Sequence, residues 1–496
     1  MSFAFDHMPC WGSVEWRLMP FRIAGAALSG LLLWFTLGLT PVWWMAWVAP
    51  IPLLWAVVGA GREARWLCYG AVLVGLSGNF SYYLQTTGPV ATVVLVTLQM
   101  LAWGLYMNSA RRAMARWRTW WVVFVLPVVM AAVDCLIGVF SPHGSWGSLA
   151  LTQVEFLPVL QVASFAGSAG IVFLMGLFVS VVVMFLVKRW DVEGPVLTYG
   201  LPVLVLVGGL GFGLLRLGEG AGKKSVSVGM VAVDENAGAW GAYEARSREL
   251  VKAGAEVLVW AEKIERLDAA GGAARQAWVG RLGRELGVPM VVGVQVEKRN
   301  VAWVFNGEGA WIGEYQKQQL VPFLEGDLEA GKKDAAYELK GRRFGVAVCR
   351  DLFFSRVARR YGLLDVDAML VPAWDFYRDA WMASAVSTLK AVEGGYPVVR
   401  AGRESYLHAV DRYGRVLAQQ RSAGGAGVGL IARVPVGLKR ATVYAGLGDT
   451  FGGLCVALFV LFAVLYALGD AWVVEYLTGT SRKGGEGVDT KKRWLD

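Results

Sequence analysis

The chain has 496 residues, of which 56% are hydrophobic and 18% are charged, and its formal net charge is +9. Together with 23 Trp and 62 Gly, this composition excludes an ordinary soluble globular protein and is typical of a membrane protein that carries a soluble part. The length allows roughly two or three domains.

Eight apolar runs are long enough to cross a bilayer, since a spanning helix needs about 20 mostly uncharged residues. The predicted spans are 23–39, 42–58, 66–84, 90–110, 120–140, 158–187, 196–215 and 452–474. The first is not interpreted as a cleaved signal peptide, because further spans follow at once. We therefore predict an N-terminal transmembrane domain of seven helices over 1–217, a soluble domain over 218–445, and a last helix with a basic tail over 446–496.

Lys and Arg lie in alternate short loops between the predicted spans, for example Arg111 and Arg112 after the fourth span and Lys188 after the sixth. Because positive residues are retained in the cytoplasm, this alternation predicts a cytoplasmic N-terminus, an extracytoplasmic soluble domain and a cytoplasmic tail "TKKRWLD". The basic residues flank spans and do not form one patch, so the charge does not indicate a nucleic-acid partner.

The soluble segment alternates apolar strand patterns with amphipathic helix patterns, which predicts an α/β domain with hairpins. Its first elements are a strand at "VSVGMVAVD", a helix at "GAYEARSRELVKAG" and a buried strand at "AEVLVWAE".

Cys349, at the end of the strand pattern "FGVAVCRD", is the single cysteine of this segment. Two interpretations are open: a small buried hydrophobe, or a nucleophile without a disulfide partner. A strand, turn and helix would lift a nucleophile clear of the sheet, and its thiol would need a base or a positive neighbour. His408 is the single histidine of the segment and lies in a strand pattern, which favours a structural role.

Two further charged residues follow predicted strands. Glu262 ends "EVLVWAE" and Lys317 lies in "YQKQQLVPFLE". Open α/β sheets place their sites at strand ends, although solvated charges are also common there. Spacing alone does not bring these residues to Cys349.

The motifs that contain Glu262, Lys317 and Cys349 together resemble the Glu-Lys-Cys signature of the nitrilase superfamily. With eight spans, and with the further motifs "VAPIPLLW", "AVEGGYPVVRA" and "ATVYAGLGDTFGGLC", the chain resembles the bacterial apolipoprotein N-acyltransferase family.

That resemblance implies an extracytoplasmic αββα sandwich domain and a ping-pong transfer of an acyl chain from a phospholipid to a diacylated lipoprotein. Glu262 would be the general base and Cys349 the nucleophile, and Lys317 would hold the oxyanion with the backbone N–H of Arg350. It also implies a monomer in the bacterial cytoplasmic (inner) membrane. We expect no cofactor, since neither a metal-ligand spacing nor a phosphate loop is present.

Other predicted site residues surround this core. The resemblance implies that Glu325 supports the site, together with Arg350 and Asp351, and that Trp240 in "NAGAW" lies at the acceptor entrance. Trp374 and Phe376 follow a strand pattern, which fits an interfacial lid that binds substrate or, equally, a packed core cluster.

Several segments depart from the family pattern, including "WAE" in place of Trp-Pro-Glu and Leu324 in place of a glycine. The chain has Arg350 and Asp351 where the family has Tyr-Glu, and Gly402, Arg403 and Glu404 where it has Asn-Thr-Gly. These changes leave the acceptor open, and the alternative is a paralogous membrane acyltransferase or amidase that uses another amine or water.

Overall fold

A computed structural model describes residues 11–478 except 62, 190, 191, 193, 221, 223, 235–238, 323, 423–426, 439 and 440. Within the described residues, six helices are long and apolar enough to cross a membrane. The predicted tail "TKKRWLD" and part of the "NAGAW" loop lie outside the described residues.

The helices of the membrane part precede the first strand. They are α1 (Trp11–Thr36), α2 (Met45–Val48), α3 (Pro50–Val57), α4 (Ala64–Leu76), α5 (Phe80–Arg116), α6 (Val125–Phe140), α7 (Leu157–Leu160), α8 (Ala163–Leu186) and α9 (Leu201–Leu217). Helix α15 (Thr450–Thr478) follows the last strand and packs against α6 and α8.

The chain reverses direction within α5 at Gly88, whose φ of 79° lies in the left-handed region that glycine adopts without strain. Pro89 follows, and the side chains of Tyr83 and Gln99 are hydrogen bonded across the turn. The continuous helical stretch Ala64–Arg116 is therefore a hairpin of two antiparallel arms. These arms correspond to the third and fourth predicted spans.

The second predicted span, 42–58, is not one helix. Helix α2 ends at Val48 and α3 begins at Pro50, but Ala49 between them keeps helical dihedral angles (φ −55°, ψ −38°), so Met45–Val57 is one short apolar helical stretch interrupted before Pro50. Proline at the first position of a helix is favoured, but in a helix interior it removes a hydrogen bond, which explains the break.

The soluble part contains thirteen described strands and five described helices. Its first half consists of β1 (Lys224–Ala232), α10 (Trp240–Lys252), β2 (Val257–Trp260), β3 (Arg266–Leu267), α11 (Ala269–Leu286), β4 (Met290–Val296), β5 (Arg299–Phe305) and β6 (Trp311–Gln316). Its second half consists of β7 (Ala335–Leu339), β8 (Arg342–Val346), a 3-10 turn (Cys349–Phe353), α12 (Ser355–Leu363), β9 (Ala368–Trp374), α13 (Ala380–Gly394), β10 (Val398–Arg403), β11 (Tyr406–Val410), β12 (Val416–Arg421), β13 (Val428–Val436) and α14 (Val443–Leu447).

The strands form two sheets that pack face to face. One sheet has the order β13-β1-β2-β4-β5-β6, with β3 beside β4, and the other has the order β12-β11-β10-β9-β8-β7. Strands β1 and β10, and β2 and β9, are in contact between the sheets. Helices α10 and α11 cover the first sheet and α13 covers the second, which produces the predicted αββα layers.

The loop between α6 and Leu149 packs against the soluble domain and holds the membrane part to it. The backbone N–H of Ser145 donates to the carbonyl of Phe353 (2.9 Å), and Gly144 packs so closely on Phe353 that a Cβ would overlap its carbonyl oxygen. The Lys390 ammonium, fully buried in α13, donates to Ser145 Oγ (2.8 Å) and forms an ion pair with Glu393 (2.7 Å). These contacts fix the segment after Cys349 against the membrane helices.

Candidate active site

The candidate residues converge where strands of both sheets end. Strands β1, β2 and β4 are mutually parallel in one sheet, as are β8, β9 and β10 in the other. Glu262 follows β2, and Cys349 follows β8. The N–H of Glu262 donates to the carbonyl of Ala373 near the end of β9 (3.3 Å), which joins the two sheets at this edge.

Lys317 lies between two buried carboxylates. Its ammonium donates to Glu262 Oε1 (2.8 Å) and lies 2.9 Å from Glu325 Oε2, and all three side chains are almost completely buried. Buried charges are stable in a protein interior only when opposite charges lie close together and are hydrogen bonded, as these three are.

Asn300, at the start of β5, is a site residue that sequence reasoning missed. Its amide Nδ2 donates to Glu262 Oε1 (2.7 Å) and to Glu325 Oε1 (3.0 Å), and its backbone carbonyl accepts the N–H of Lys317 (2.9 Å). Asn300 therefore fixes the orientation of both carboxylates. A polar residue opening the apolar run "NVAWVF" was the available signal.

Cys349 has a left-handed backbone conformation (φ 49°) at the start of a 3-10 turn. Lys263, Tyr377 and Glu404 also have positive φ values (47°, 62° and 50°), and all three lie beside the candidate site. Backbone strain of this kind costs about 1–3 kcal/mol per residue and is concentrated at functional sites. The thiol Sγ faces the carbonyl of Trp374 at 3.5 Å.

The Cys349 thiol is protonated at neutral pH. Burial, followed by the charge of Glu262, raises its pKa to about 12, although Lys317 lowers it in part. A thiol with such a pKa needs a base that removes the proton as the nucleophile attacks.

The charges around the thiol are held in their ionised forms. Burial opposes the charge of Lys317, yet the nearby Glu262, Cys349 and Glu325 together raise its pKa, so the ammonium remains a hydrogen-bond donor. Burial likewise opposes ionisation of Glu325, but Lys317 and Lys263 lower its pKa to about 2.

Asp351 positions the loop that contains Lys317. Its Oδ1 accepts the N–H groups of Gln318 (3.1 Å) and Gln319 (2.7 Å), and its Oδ2 accepts the Tyr315 hydroxyl (2.8 Å) and the N–H of Val348 (3.2 Å). Burial raises the pKa of Asp351 to about 6, so the carboxylate is ionised at neutral pH.

We expect Asp351→Asn to lower the free energy of unfolding by about 1–3 kcal/mol, because the amide group leaves at least one of these backbone N–H donors without an acceptor. Thermal and denaturant unfolding in detergent would measure the loss. The matched control is Asp334→Asn, which breaks a partly exposed ion pair with Arg360 and is expected to cost less than about 1 kcal/mol. Equal losses in both variants would contradict the role assigned to Asp351.

The Arg350 side chain points away from the thiol. Its guanidinium donates to the carbonyl of Leu320 (3.0 Å) and to the carbonyl of Pro142 in the loop after α6, and it lies over the Phe354 ring. Arg350 thus replaces the family's aromatic residue with a tether between the membrane part and the soluble domain.

The predicted substrate-binding aromatic residues lie in different surroundings. Trp240 begins α10 and is buried against Trp260 and Trp278, with its indole N–H donating to Glu265 (2.5 Å), so little of its side chain is left for an acceptor to contact. Trp374 is beside the thiol, as described above. Phe376 is about half exposed (46%) and belongs neither to the aromatic cluster around Trp240 nor to the residues beside the thiol.

The His408 imidazole contacts Thr388 Oγ1 of α13 through its Nε2 atom (3.1 Å). Burial, assisted by the charge of Arg400, lowers its pKa to about 3, so the ring is neutral and unsuited to be the base.

Arg400 forms a further buried ion pair, which the sequence did not predict. Its guanidinium donates to both carboxylate oxygens of Asp375 (2.6 and 2.8 Å) and to Ser405 Oγ (3.1 Å). Its charge also lowers the pKa of Cys349, as the last of several effects. Arg interrupting the apolar strand "PVVRAG" was the signal for this pair.

Within the part of the chain that the structure describes, no group of three or more His, Cys, Asp and Glu side chains could hold a metal ion. The arrangement instead supplies a carboxylate, an ammonium donor and a thiol at one strand-end edge. These are the groups that acyl transfer through a thioester requires. The fold is that of a four-layer αββα domain attached to a bundle of apolar helices.

The resemblance to apolipoprotein N-acyltransferases is confirmed by comparison with known proteins. Residues 29–181 match the model of the apolipoprotein N-acyltransferase N-terminal domain. The chain is also 26% identical to the apolipoprotein N-acyltransferase of Geobacter metallireducens, over 89% of this chain and 94% of that protein.

Other similarities cover less than half of the chain. The 2-oxoglutaramate amidase of Bacillus subtilis is 27% identical over 30% of this chain and 63% of its own length. Among solved structures, a variant of a Nesterenkonia amidase of the nitrilase superfamily is 16% identical, covers 42% of this chain and 90% of its own, and has a TM-score of 0.39. A carbon-nitrogen hydrolase from Helicobacter pylori is 15% identical, with 42% and 89% covered and a TM-score of 0.37.

Proposed function

We propose that the protein is an apolipoprotein N-acyltransferase, which transfers an acyl chain from a phospholipid to the α-amine of a diacylglyceryl-cysteine lipoprotein. The observation that carries the proposal is the buried Lys317 ammonium, which bridges Glu262 and Glu325 beside the strained Cys349. The similarity to the Geobacter enzyme over most of both chains supports the same function.

In the first half-reaction, Glu262 takes the proton of the Cys349 thiol as the sulfur attacks the ester carbonyl of the phospholipid. The Lys317 ammonium and the backbone N–H of Arg350 stabilise the oxyanion, and each such donor contributes about 3–4 kcal/mol in comparable sites. The C–O bond then breaks, Glu262 returns the proton to the departing oxygen, and a lysophospholipid leaves a thioester on Cys349.

In the second half-reaction, the α-amine of the acceptor attacks the thioester carbonyl. Glu262 accepts the proton of the amine, and the same donors hold the second oxyanion. The C–S bond breaks, the sulfur regains a proton, and the lipoprotein leaves with an amide-linked third acyl chain. Glu325 and Asn300 act as positioning residues through Glu262 and Lys317.

The proposed enzyme is a monomer in the bacterial cytoplasmic membrane, with the seven-helix domain over 1–217, the catalytic domain over 218–445 outside the cytoplasm, and the last helix from 446. Eight crossings follow if α2 and α3 together form one crossing and the two arms of the Gly88 hairpin form two. The alternation of basic loops supports this orientation, and it places the catalytic domain on the side where both lipid substrates are anchored.

The test is acyl transfer in detergent with phosphatidylethanolamine and a synthetic diacylglyceryl-cysteine lipopeptide. We expect a product heavier by one acyl chain, detected by mass spectrometry, together with one lysophospholipid per product. An acyl-enzyme that forms but yields no triacylated peptide would contradict this acceptor.

That outcome would favour the second candidate, a membrane acyltransferase or amidase that uses another amine or water. Two observations favour this candidate: the altered segment Gly402, Arg403 and Glu404, and the similarity of 30% of the chain to an amidase. Release of free fatty acid from the acyl-enzyme in the absence of lipopeptide, at the full rate of donor consumption, would identify water as the acceptor.

A further inference from the structure

Arg403, the last residue of β10, has a buried guanidinium without a counter-ion. Its side chain is 3% exposed, and no ion pair within 4 Å involves it among the described residues. Its Nη1 donates only to the carbonyl of Lys263, at a long 3.4 Å, and its Nε has no hydrogen-bond partner. An unpaired buried cation is costly, because burial removes its hydration without supplying an opposite charge.

Three other buried cations of the soluble domain have carboxylate partners, whereas Arg350, which has no ion pair among the described residues, donates to two carbonyl oxygens. Lys317 contacts two carboxylates, Lys390 contacts Glu393, and Arg400 contacts Asp375. Lys263, whose carbonyl accepts Arg403 Nη1, is itself paired with Glu325 (2.6 Å). Arg403 differs from all of these, because among the described residues its guanidinium has neither a carboxylate partner nor a short hydrogen bond.

Arg403 is linked to the thiol through one residue, Trp374. The guanidinium lies over the Trp374 ring at 3.9 Å, with Lys263 over the same ring at 5.4 Å, and the Trp374 carbonyl faces Cys349 Sγ at 3.5 Å. A guanidinium stacked on an aromatic ring keeps its N–H groups directed outward in its own plane, where they can bind an anion.

Two exposed aromatic residues, Phe376 and Tyr377, lie in a segment that is hydrogen bonded to Arg403 and Glu404. The N–H of Asp375 donates to the Arg403 carbonyl (3.1 Å), and the N–H of Tyr377 donates to the Glu404 carbonyl (2.9 Å). Phe376 and Tyr377 are each about half exposed. Aromatic side chains beside cations are typical of surfaces that contact the lipid headgroup region.

We propose that Arg403 forms an anion subsite that binds the phosphodiester of the phospholipid donor, with Lys263 as its positioning residue. This inference rests on the proposed function. The donor carries a phosphate a few bonds from the ester that Cys349 attacks, whereas a diacylglyceryl-cysteine acceptor carries none. The guanidinium therefore distinguishes the donor from neutral acyl esters and from the acceptor, and the phosphate supplies the missing charge.

The first test measures thioester formation from two donors, phosphatidylethanolamine and a neutral p-nitrophenyl ester of the same acyl chain. We expect Arg403→Gln to lower the ratio of phospholipid to neutral-ester kcat/KM by about 10- to 100-fold, and Arg403→Lys to recover part of it. The control is Arg421→Gln, which removes another rim guanidinium, stacked on Tyr377, and is expected to leave the ratio unchanged. An unchanged ratio in Arg403→Gln would overturn the subsite.

A second test does not depend on turnover. Glycerophosphoethanolamine, a soluble headgroup fragment, is expected to slow alkylation of Cys349 by iodoacetamide in the wild-type protein, whereas glycerol and an equal concentration of inorganic phosphate protect less. Arg403→Gln should lose that protection. Failure of the fragment to protect the wild type would refute the subsite even if acyl transfer occurs, and protection without acyl transfer would refute the proposed function alone.

Discussion

Cys349→Ala is expected to abolish formation of the acyl-enzyme, with no thioester detectable after incubation with phosphatidylethanolamine and a loss of at least about 10³-fold in acyl transfer. The physical reason is that no other described group near Lys317 can form a thioester. Mass spectrometry of the intact protein and fluorescent phospholipid labelling would measure the loss.

The matched control is Cys135→Ala in α6, which removes a partly exposed thiol far along the chain from the candidate site. We expect it to retain labelling. Undiminished labelling of Cys349→Ala would show that the acyl group is attached elsewhere and would refute the proposed mechanism.

Lys317→Met is expected to reduce acyl transfer by about 10²–10³-fold, because it removes an oxyanion donor. It also leaves Glu262 and Glu325 buried without their shared cation, which we expect to lower the free energy of unfolding by about 3–5 kcal/mol. Single-turnover acylation, combined with thermal unfolding in detergent, would separate the two effects.

Lys390→Met provides the control for stability. Its ammonium is equally buried and paired with Glu393, yet it contacts Ser145 and Ser355 and not the candidate site. We expect a similar loss of stability with much less loss of acylation per folded molecule. Equal losses of acylation in both variants would mean that Lys317 is structural only.

The strand-end positions of Glu262 and Cys349 could be predicted from the sequence, because apolar runs that end in a charge or a lone thiol are local patterns. Their catalytic roles stay predictions. Asn300 and Arg400 were not predicted, since their importance depends on side chains from other strands. Each nevertheless interrupts an apolar strand, and a buried polar residue in such a run requires a partner.

In the membrane part, too, local features could be predicted from the sequence, whereas contacts between distant residues could not. Pro50 signals the break between α2 and α3, and Gly88-Pro89 signals the hairpin, so both features were readable locally. The loop "SPHGSWGS" between the fifth and sixth predicted spans contains no Lys or Arg, so its sequence predicts only a connection on the extracytoplasmic side. Its contacts with Phe353 and Lys390 join residues more than 200 positions apart, as in the hydrogen bond from Arg350 to Pro142 (separation 208), and no local pattern reports them.

The contacts of Pro142, Gly144 and Ser145 also affect whether the soluble domain could be studied in isolation. The segment directly after Cys349 is held by Pro142, Gly144 and Ser145, which follow helix α6 of the membrane part. Cutting the polypeptide at residue 218 would strip those atoms away and leave the Lys390 ammonium without its Ser145 ligand. We therefore expect the soluble domain to lose stability when it is separated from the membrane part.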